Sequence, residues 1–293
     1  MLCSALACIM PINAHADFTF AAYGDTPYVA DEEPQHIALI AEINRAQPAF
    51  TIHVGDFKAA WTPCTDELFQ LRREQFMLFH APLIYAPGDN EWQDCRRAWG
   101  AQRDPLERLA KLRQLFFADS YSLGQQRISL TQQSAAYPAH ARWAHDGVLF
   151  ITLNAPGGEN NKDMPDEAVP RKKAQDAWVS AAFDEARQRG YRALVIAMQA
   201  NPFATGNVVK SSFDAPMNAI MREAQLFNGE VLLIHGDTHR YRFDQPLFDL
   251  KTRKHITNVT RLEVFGYPTV NWVRIRVKTT GAKITFEASP GSR

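Results

Sequence analysis

The amino-acid sequence predicts an α/β fold with a largely parallel central sheet and a second, antiparallel sheet near the C-terminus. Short apolar runs alternate with stretches of helical periodicity over most of the 293 residues, and this alternation is typical of βα units. Toward the C-terminus, strand-like runs follow one another with no helical pattern between them. A Gly-Asp pair also follows four of the apolar runs, which indicates where the predicted sheet carries its functional groups.

Six apolar runs are the predicted strands of the central sheet. They are short, rich in β-branched and aromatic residues, and most are bounded by Gly or Pro, as buried strands are. The runs are residues 18–23, 50–54, 82–86, 148–154, 194–199 and 230–235.

Helical patterns occupy intervals between these runs. Pro34 and Pro105 each precede a stretch whose apolar residues recur on one face. Residues 175–189 end at Gly190, which suits a helix C-cap, and residues 216–227 form another short helical pattern. The sequence therefore places at least four helices around the predicted sheet.

Two kinds of segment lie outside this alternation. The stretch 157–173 is polar and interrupted by Pro, which predicts a long surface loop, and long loops often carry function. The C-terminal runs 262–265, 270–278 and 283–288 are predicted strands, and the "TTGA" between the last two is typical of a hairpin turn. These runs are the basis for the predicted second sheet.

Composition and charge argue against a polyanionic partner. The 32 basic and 32 acidic residues give a formal net charge of zero, so no nucleic-acid partner is expected. The longest basic run, Arg171-Lys172-Lys173, falls within a helical pattern and is interpreted as a solvated helix face. No segment after the N-terminal region is long and apolar enough to predict a transmembrane span.

The first sixteen residues have the character of a secretory signal peptide. They contain no Lys, Arg, Asp or Glu, and an apolar stretch at 2–10 precedes the small-x-small pattern at 14–16. The basic start of a signal peptide is missing, and a buried N-terminal strand or helix is the alternative. The signal interpretation predicts export to the periplasm or the exterior and leaves a single domain at residues 17–290.

The cysteines are consistent with export. Cys3 and Cys8 would leave with the signal peptide, so Cys64 and Cys95 would remain as one pair. An exported chain with two cysteines predicts one disulfide between them, and two unrelated free thiols are the alternative.

Four Gly-Asp pairs are the main functional signal. Composition predicts about one such pair, yet four occur, with aspartates at Asp25, Asp56, Asp89 and Asp237. Ligands of parallel α/β sheets bind at the carboxyl ends of strands, and Gly permits a sharp exit there. Carboxylates that converge in one place repel each other unless a cation lies among them, so the pattern predicts a divalent metal. The alternative is that the pairs only make turns.

The blocks that contain these pairs resemble the five motifs of calcineurin-like metallophosphoesterases. Those motifs are Asp-x-His, Gly-Asp-x-x, Gly-Asn-His-Glu/Asp, an isolated His and Gly-His-x-His. This chain matches them at residues 25–27, 55–58, 88–91, Gln199 and 236–239, and the resemblance spans roughly residues 18–240. It implies a sandwich of two β-sheets flanked by helices, with antiparallel C-terminal strands, and a metal site for phosphate esters.

The resemblance implies a set of metal ligands, with Asp56 as the residue that would bridge two ions if both bind. Pro27 removes one ligand of the family, and aspartates stand where the family has Asn and His. The resulting set is almost all oxygen, which favours Mg²⁺, Mn²⁺ or Ca²⁺ over Zn²⁺ or Fe. The implied ligands for one or two ions are Asp25, Asp56, Asp89, Gln199, Asp237 and His239.

The family's catalytic histidine is replaced by Asn90. An amide binds a phosphate oxygen but gives no proton to a leaving group, so esters with acidic leaving groups should be preferred. His235 could supply the proton instead, and a core histidine is the alternative. Lys58 and Asn161 are further candidates for substrate binding beside Asn90, although Lys58 could equally be an exposed lysine at a helix start.

Two principal functions follow from these residues. The first is an exported, metal-dependent phosphoesterase that hydrolyses a small phosphorylated substrate with metal-activated water. The second is a protein of the same fold that has lost catalysis and binds a cation or an anionic ligand. A purely structural Ca²⁺ site is a third, weaker hypothesis.

Overall fold

The computed structural model of the protein describes residues 16–97, 102–249, 252 and 254–291. The predicted signal peptide, residues 1–16, lies outside the described residues except for its last residue.

The described strands form two sheets. Their bounds are β1 Phe18–Tyr23, β2 Thr51–His53, β3 Leu83–Tyr85, β4 Thr131–Gln132, β5 Ala141–His145, β6 Val148–Thr152, β7 Ala193–Ala197, β8 Glu230–His235, β9 Arg242–Asp244, β10 Val259–Glu263, β11 Val273–Thr280 and β12 Lys283–Pro290. The order in the first sheet is β12-β11-β1-β2-β3, and the order in the second is β4-β5-β6-β7-β8-β10-β9. The parallel strands are β1–β3 in the first sheet and β6, β7, β8 and β10 in the second.

The predicted two-sheet α/β architecture with antiparallel C-terminal strands is confirmed, but the six runs predicted to form one central sheet are divided equally between the two sheets, and the tail does not form a sheet of its own. The hairpin β11–β12 extends the first sheet, with β11 antiparallel to β1. The strand β10 joins the second sheet parallel to β8. Consecutive strand patterns in a sequence do not determine which strands pair, and here β11 pairs with β1 from the other end of the described chain.

The described helices cover the outer faces of both sheets. Their bounds are α1 Glu33–Ala46, α2 Asp66–Phe76, α3 Pro105–Phe116, α4 Gly157–Asn160, α5 Pro165–Arg189 and α6 Asp214–Ala224. The helices α1, α2 and α3 pack on the first sheet, and α5 and α6 pack on the second.

The predicted surface loop at 157–173 is wrong, because most of it is helical. Helix α5 begins at Pro165, where a missing backbone N–H costs nothing, and it continues through Pro170. The predicted solvent exposure of Arg171 is also wrong. Its guanidinium is fully buried and donates to Glu167 Oε1 at 2.6 Å and to the Asn154 carbonyl at 3.0 Å.

The core between the two sheets is aromatic. Phe20 of β1 stacks on Phe50 with ring centroids 5.3 Å apart, and Phe150 of β6 meets both rings edge-on at 5.4 and 4.9 Å. Along β1, Phe20 and Ala22 face the other sheet while Ala21 and Tyr23 face the helices. Because both faces of the strand are buried, its sequence is continuously apolar rather than alternating.

Candidate active site

The four Gly-Asp pairs lie beyond the carboxyl ends of β1, β2, β3 and β8. Asp25, Asp56 and Asp237 adopt the left-handed conformation, with φ of 53°, 56° and 76°. Among non-glycine residues, Asp and Asn adopt this region more readily than most. A Cβ at Gly236 would collide with the Asp25 carboxylate, so glycine is what lets these two loops touch.

Asp25 joins the first and last loops. Its side chain is fully buried, and Oδ1 accepts a hydrogen bond from Asp237 N at 3.0 Å and lies 3.5 Å from His239 Nε2. His239 Nδ1 donates to the Tyr267 carbonyl at 2.8 Å, which leaves Nε2 facing the carboxylates. Burial lowers the pKa of His239, but the hydrogen bond and charge of Asp25 outweigh it and raise that pKa overall.

Asp56 lies at the centre of the group, and both of its carboxylate oxygens are hydrogen-bonded. Oδ1 accepts from Asn90 N at 3.1 Å, whereas Oδ2 accepts from Tyr28 Oη at 3.1 Å and from Gln199 Nε2 at 3.0 Å. The amide oxygen of Gln199 instead accepts from Gly157 N at 2.5 Å. Gln199 therefore presents its nitrogen, not its predicted ligand oxygen, to the carboxylates.

Asp89 and Asp237 approach each other around Gly157. A Cβ at position 157 would lie 2.5 Å from Asp89 Oδ1 and 3.0 Å from Asp237 Oδ1. Only glycine therefore lets the chain pass between the two carboxylates without displacing them. Asp237 Oδ2 accepts a hydrogen bond from Asn201 N at 3.0 Å.

Tyr28 is a site residue that the sequence reasoning missed. Its hydroxyl donates to Asp56 Oδ2, accepts from Asn90 Nδ2 at 3.1 Å and lies 3.4 Å from His239 Nε2. The ring stacks on Tyr267 with centroids 5.6 Å apart. The available signal was its position in the first block, directly after the proline that replaces a family ligand.

Glu91 is the second residue without a predicted role. It is fully buried and accepts hydrogen bonds from Tyr85 Oη at 2.6 Å, Gly88 N at 2.8 Å and Asp56 N at 3.1 Å. These three bonds fix the loops that carry Asp56 and Asp89. Glu91 therefore fixes the positions of Asp56 and Asp89 without itself being a candidate ligand.

Burial and mutual repulsion disfavour the charged forms of the four aspartates. Burial raises the pKa of Asp25, Asp56 and Asp89, and it raises that of Asp237 to about 6. The charges of Asp89 and Glu91 add to the effect of burial at Asp56, and the charge of Asp237 adds to it at Asp89. A divalent ion among these groups would favour their charged forms.

The donor chemistry fits an oxygen-preferring divalent ion, although the neighbouring carboxylates do not point at one common position. Asp25 Oδ2 and Asp89 Oδ1 are buried carboxylate oxygens with no hydrogen-bond partner among the described residues. In the same part of the chain, no group of three or more His, Cys, Asp or Glu side chains is arranged to hold a metal ion. Ion binding would therefore require Asp56 to exchange its hydrogen bonds with Tyr28 and Gln199 for metal coordination.

The predicted substrate-binding side chains are engaged with the protein. Lys58 is 1% exposed, and its Nζ donates to the carbonyls of Ala59 and Thr62, each at 2.9 Å. Burial lowers the pKa of Lys58 to about 8, so the ammonium is still charged at neutral pH. Asn161 is fully buried and donates to Glu167 Oε2 at 2.8 Å. The alternative of an exposed Lys58 is wrong.

The structure argues against the predicted role of His235 as a proton donor. The ring is fully buried, and its Nδ1 donates to the Gly236 carbonyl at 2.9 Å. Burial lowers the pKa of His235 to about 3, so at neutral pH the ring is a neutral imidazole, whose remaining N–H is held by the Gly236 carbonyl and is not acidic enough to protonate a leaving group. His235 is a packing residue behind the last Gly-Asp loop.

The predicted disulfide between Cys64 and Cys95 is confirmed. Their Cα atoms are 5.8 Å apart, within the usual range for such bonds. Each Sγ lies 3.8 Å from the carbonyl oxygen of Asn90. The bond therefore fastens the segment after β2 to the loop that carries Asp89 and Asn90.

None of the helices in the described part of the chain combines the length and the apolar character that a membrane span requires.

Comparison with known proteins identifies the fold. No family model and no curated protein sequence matches this chain. Its structure is similar to that of PhoD, with a TM-score of 0.53 and 11% identity over 96% of this chain and 69% of PhoD. It is also similar to a dimetal phosphatase from Danio rerio, with a TM-score of 0.54 and 10% identity over 92% of this chain and 98% of that one.

A third similar structure is the purple acid phosphatase PPD1 from yellow lupin (Lupinus luteus) seeds, with a TM-score of 0.53 and 12% identity. The match covers 94% of this chain but 52% of the lupin enzyme, so the chain spans about half of that protein's length. At such low identity these similarities concern the fold. The chain has the fold of the calcineurin-like metallophosphoesterases, as its sequence motifs predict.

Proposed function

We propose that this protein is an exported, metal-dependent phosphoesterase that acts on a small phosphorylated substrate. One observation carries the proposal: four strand-end aspartates are packed together at one edge of a fold shared with metal-dependent phosphatases. Burying mutually repelling carboxylates costs stability unless a cation or protons neutralise them. A divalent cation bound among these carboxylates would offset that cost.

Two pairs of candidate ligands lie close together beside Asp56. They are Asp25 with His239, and Asp89 with Asp237, and Asp237 N donates to Asp25 Oδ1 to link the pairs. The oxygen-rich set suits Mg²⁺, Mn²⁺ or Ca²⁺, and one or two ions could be held. When bound, such an ion would stabilise charge on a phosphoryl oxygen and lower the pKa of water.

The chain's own residues would position the ligands and the substrate. The backbone N–H of Asn90 positions a ligand by donating to Asp56 Oδ1. Its side-chain amide donates to Tyr28 Oη beside the carboxylates, where it could position the substrate. The ammonium of Lys58 and the amide of Asn161 are further donors that would reach a phosphate oxygen only after leaving their present acceptors. With an amide in place of the family's catalytic histidine, the leaving oxygen departs without a proton from that position.

Export is proposed from two independent features. The N-terminal sixteen residues have the composition of a signal peptide. The Cys64–Cys95 disulfide is buried, and disulfides of this kind persist in oxidising compartments.

A binding-only function is the second candidate, and the Asp56 hydrogen bonds favour it. Tyr28, Gln199 and Asn90 together satisfy both oxygens of the carboxylate that would bridge two ions. In a protein that has lost catalysis, these bonds would replace the metal rather than give way to it.

Hydrolysis assays distinguish the two functions. Protein treated with a chelator and then supplied with Mg²⁺ or Mn²⁺ should hydrolyse 4-nitrophenyl phosphate or its diester, and Zn²⁺ should restore activity less well. Asp56→Asn should abolish turnover, whereas the matched control Asp184→Asn, at an exposed position on α5, should not. Absence of turnover for any phosphoester with any divalent ion would favour the binding-only function.

A further inference from the structure

A separate cavity opens beside the candidate active site. It has a volume of about 520 Å³ and lies between the loop that follows β7 and the segment that leads into β9. Among the described residues its polar lining comes from Asn201, Thr205, Asn207, Thr238, Arg240 and Arg242 and includes no acidic side chain, although the buried Glu263 contacts Thr238 and Arg242. The cavity thus has the opposite electrostatic character to the group of aspartates next to it.

The wall of the cavity is linked to the candidate ligands by hydrogen bonds and by the chain. Thr238 stands between Asp237 and His239 in the chain, so the wall of the cavity begins one residue from each. Asn201 joins the two regions, because its backbone N–H donates to Asp237 Oδ2 at 3.0 Å and its side-chain amide donates to Thr238 Oγ1 at 3.0 Å. Lys210 holds this loop in place by donating to the Asn201 carbonyl at 3.1 Å.

The buried carboxylate of Glu263 lies beside the two arginines of the cavity and pairs with their charges only in part. Arg240 is exposed, and among the described residues its guanidinium makes no ion pair. Arg242 has one loose contact, at 3.5 Å from Glu263 Oε2. The neighbouring Arg261 is different, because it is buried and its guanidinium pairs with both oxygens of Asp244 at 2.7 and 2.5 Å. Arg261 supports the wall, while Arg240 and Arg242 offer their charges to the cavity.

We propose that this cavity is a subsite for a second oxyanion of the substrate, a carboxylate or a phosphate, held by Arg240 and Arg242. The proposal rests on the proposed function, since it places the reacting phosphate at the neighbouring aspartates. The guanidinium fork matches the geometry of both oxyanions, and Asn201 and Thr238 add neutral polar groups. The preferred substrates are then phosphate esters whose alcohol part carries an anionic group close to the ester.

Binding of a matched pair of ligands tests this subsite. The probes are 3-phosphoglycerate and glycerol 3-phosphate, which share the phosphate ester and differ in the distal carboxylate. Calorimetry in the presence of Mn²⁺ should show that the protein binds 3-phosphoglycerate about tenfold or more tightly than glycerol 3-phosphate, as a charge-assisted hydrogen bond allows. Hydrolysis rates are measured on the same two compounds.

The variants isolate the two arginines. Arg240→Gln should reduce the preference, and Arg240→Gln/Arg242→Gln should remove it while glycerol 3-phosphate binds as before. Arg189→Ala, which removes an exposed charge at the end of α5, should preserve the preference. Because Arg240 is exposed, its single variant should fold normally and can be judged on its own.

Several outcomes would overturn the subsite. One is that the unmodified protein binds both probes with equal affinity, or binds neither of them measurably. Another is that the preference for 3-phosphoglycerate survives in the double variant. A third is that the double variant loses affinity equally for both probes, which would indicate only general charge attraction. A different result would contradict the proposed function but not the subsite. If the arginine-dependent preference is found but neither probe nor a nitrophenyl ester is hydrolysed, the protein is a binder of dianionic ligands rather than a phosphoesterase.

Discussion

Removing the Cys64–Cys95 disulfide should strongly destabilise the protein. The two cysteines are 31 residues apart in the chain, and the loop-closure estimate for that separation gives about 3.7 kcal/mol at 25 °C. For a domain of this size, such a loss corresponds to a fall of roughly 7–15 °C in the midpoint of thermal unfolding. Urea unfolding of the Cys64→Ala/Cys95→Ala variant, compared with the unmodified protein, measures the loss directly.

The disulfide also bears on the candidate site, because both sulfur atoms lie against the carbonyl of Asn90. We therefore expect the variant to bind Mn²⁺ more weakly even at temperatures where it is fully folded. The unmodified protein after reduction is the matched control, since it lacks the bond but keeps both sulfur atoms. A reduced protein as stable as the oxidised one would refute the reasoning, as would quantitative labelling of two thiols in native, unreduced protein.

Three other predictions concern the site. Gly157→Ala should weaken Mn²⁺ binding measured by calorimetry, because the added Cβ would lie 2.5 Å from Asp89 Oδ1; unchanged affinity would mean that this oxygen is not a ligand. In metal-free protein the pKa of Asp237 is raised to about 6, so its carboxyl in the native state keeps a proton that the unfolded chain releases near pH 4. The free energy of unfolding measured in urea should therefore fall as the pH rises from about 4 to about 6, and Mn²⁺ should oppose the fall. A free energy of unfolding that rises over that window would contradict the assignment. Nitrophenyl esters should react much faster than alkyl phosphates, and His235→Ala should leave that ratio unchanged; selective slowing of alkyl esters would restore His235 as a proton donor.

The sequence predicted the strands and their aspartates well for a physical reason. Strands β1 and β8 are buried on both faces, so their apolar runs are continuous and their bounds agree with the predicted ones. The Gly-Asp pairs mark the exit from each run, and parallel strands bring such exits to one edge. Local pattern and strand direction therefore predict that the loops after β1, β2 and β3 meet at one edge of their sheet. The loop after β8 belongs to the second sheet, and it meets the others only because the two sheets pack together.

Other features depended on contacts that the sequence does not specify. Arg171 belongs to a polar stretch, and its burial is possible only because Glu167, Asn154 and Asn160 meet its guanidinium after folding. The hydroxyl of Tyr28 reaches Asp56 across 28 positions in the chain, which no local periodicity reveals.

The position of His235 could have been anticipated from strand geometry. Side chains alternate along β8, and His235 shares its face with Val231 and Leu233, which pack in the core beneath α5 and α6. Adjacency to a Gly-Asp pair was therefore a weaker guide than strand periodicity.

The most direct test of the account is the divalent-ion content of the protein. Protein purified without chelator should carry one or two equivalents of Mg²⁺, Mn²⁺ or Ca²⁺ by plasma mass spectrometry, and chelator-treated protein should bind Mn²⁺ in calorimetry. Asp56→Asn should weaken that binding by about a hundredfold or more, while Asp184→Asn should bind as the unmodified protein does. Unmodified protein that binds no divalent ion, or an Asp56→Asn variant that binds Mn²⁺ equally well, would contradict the claim that the strand-end aspartates form a metal site.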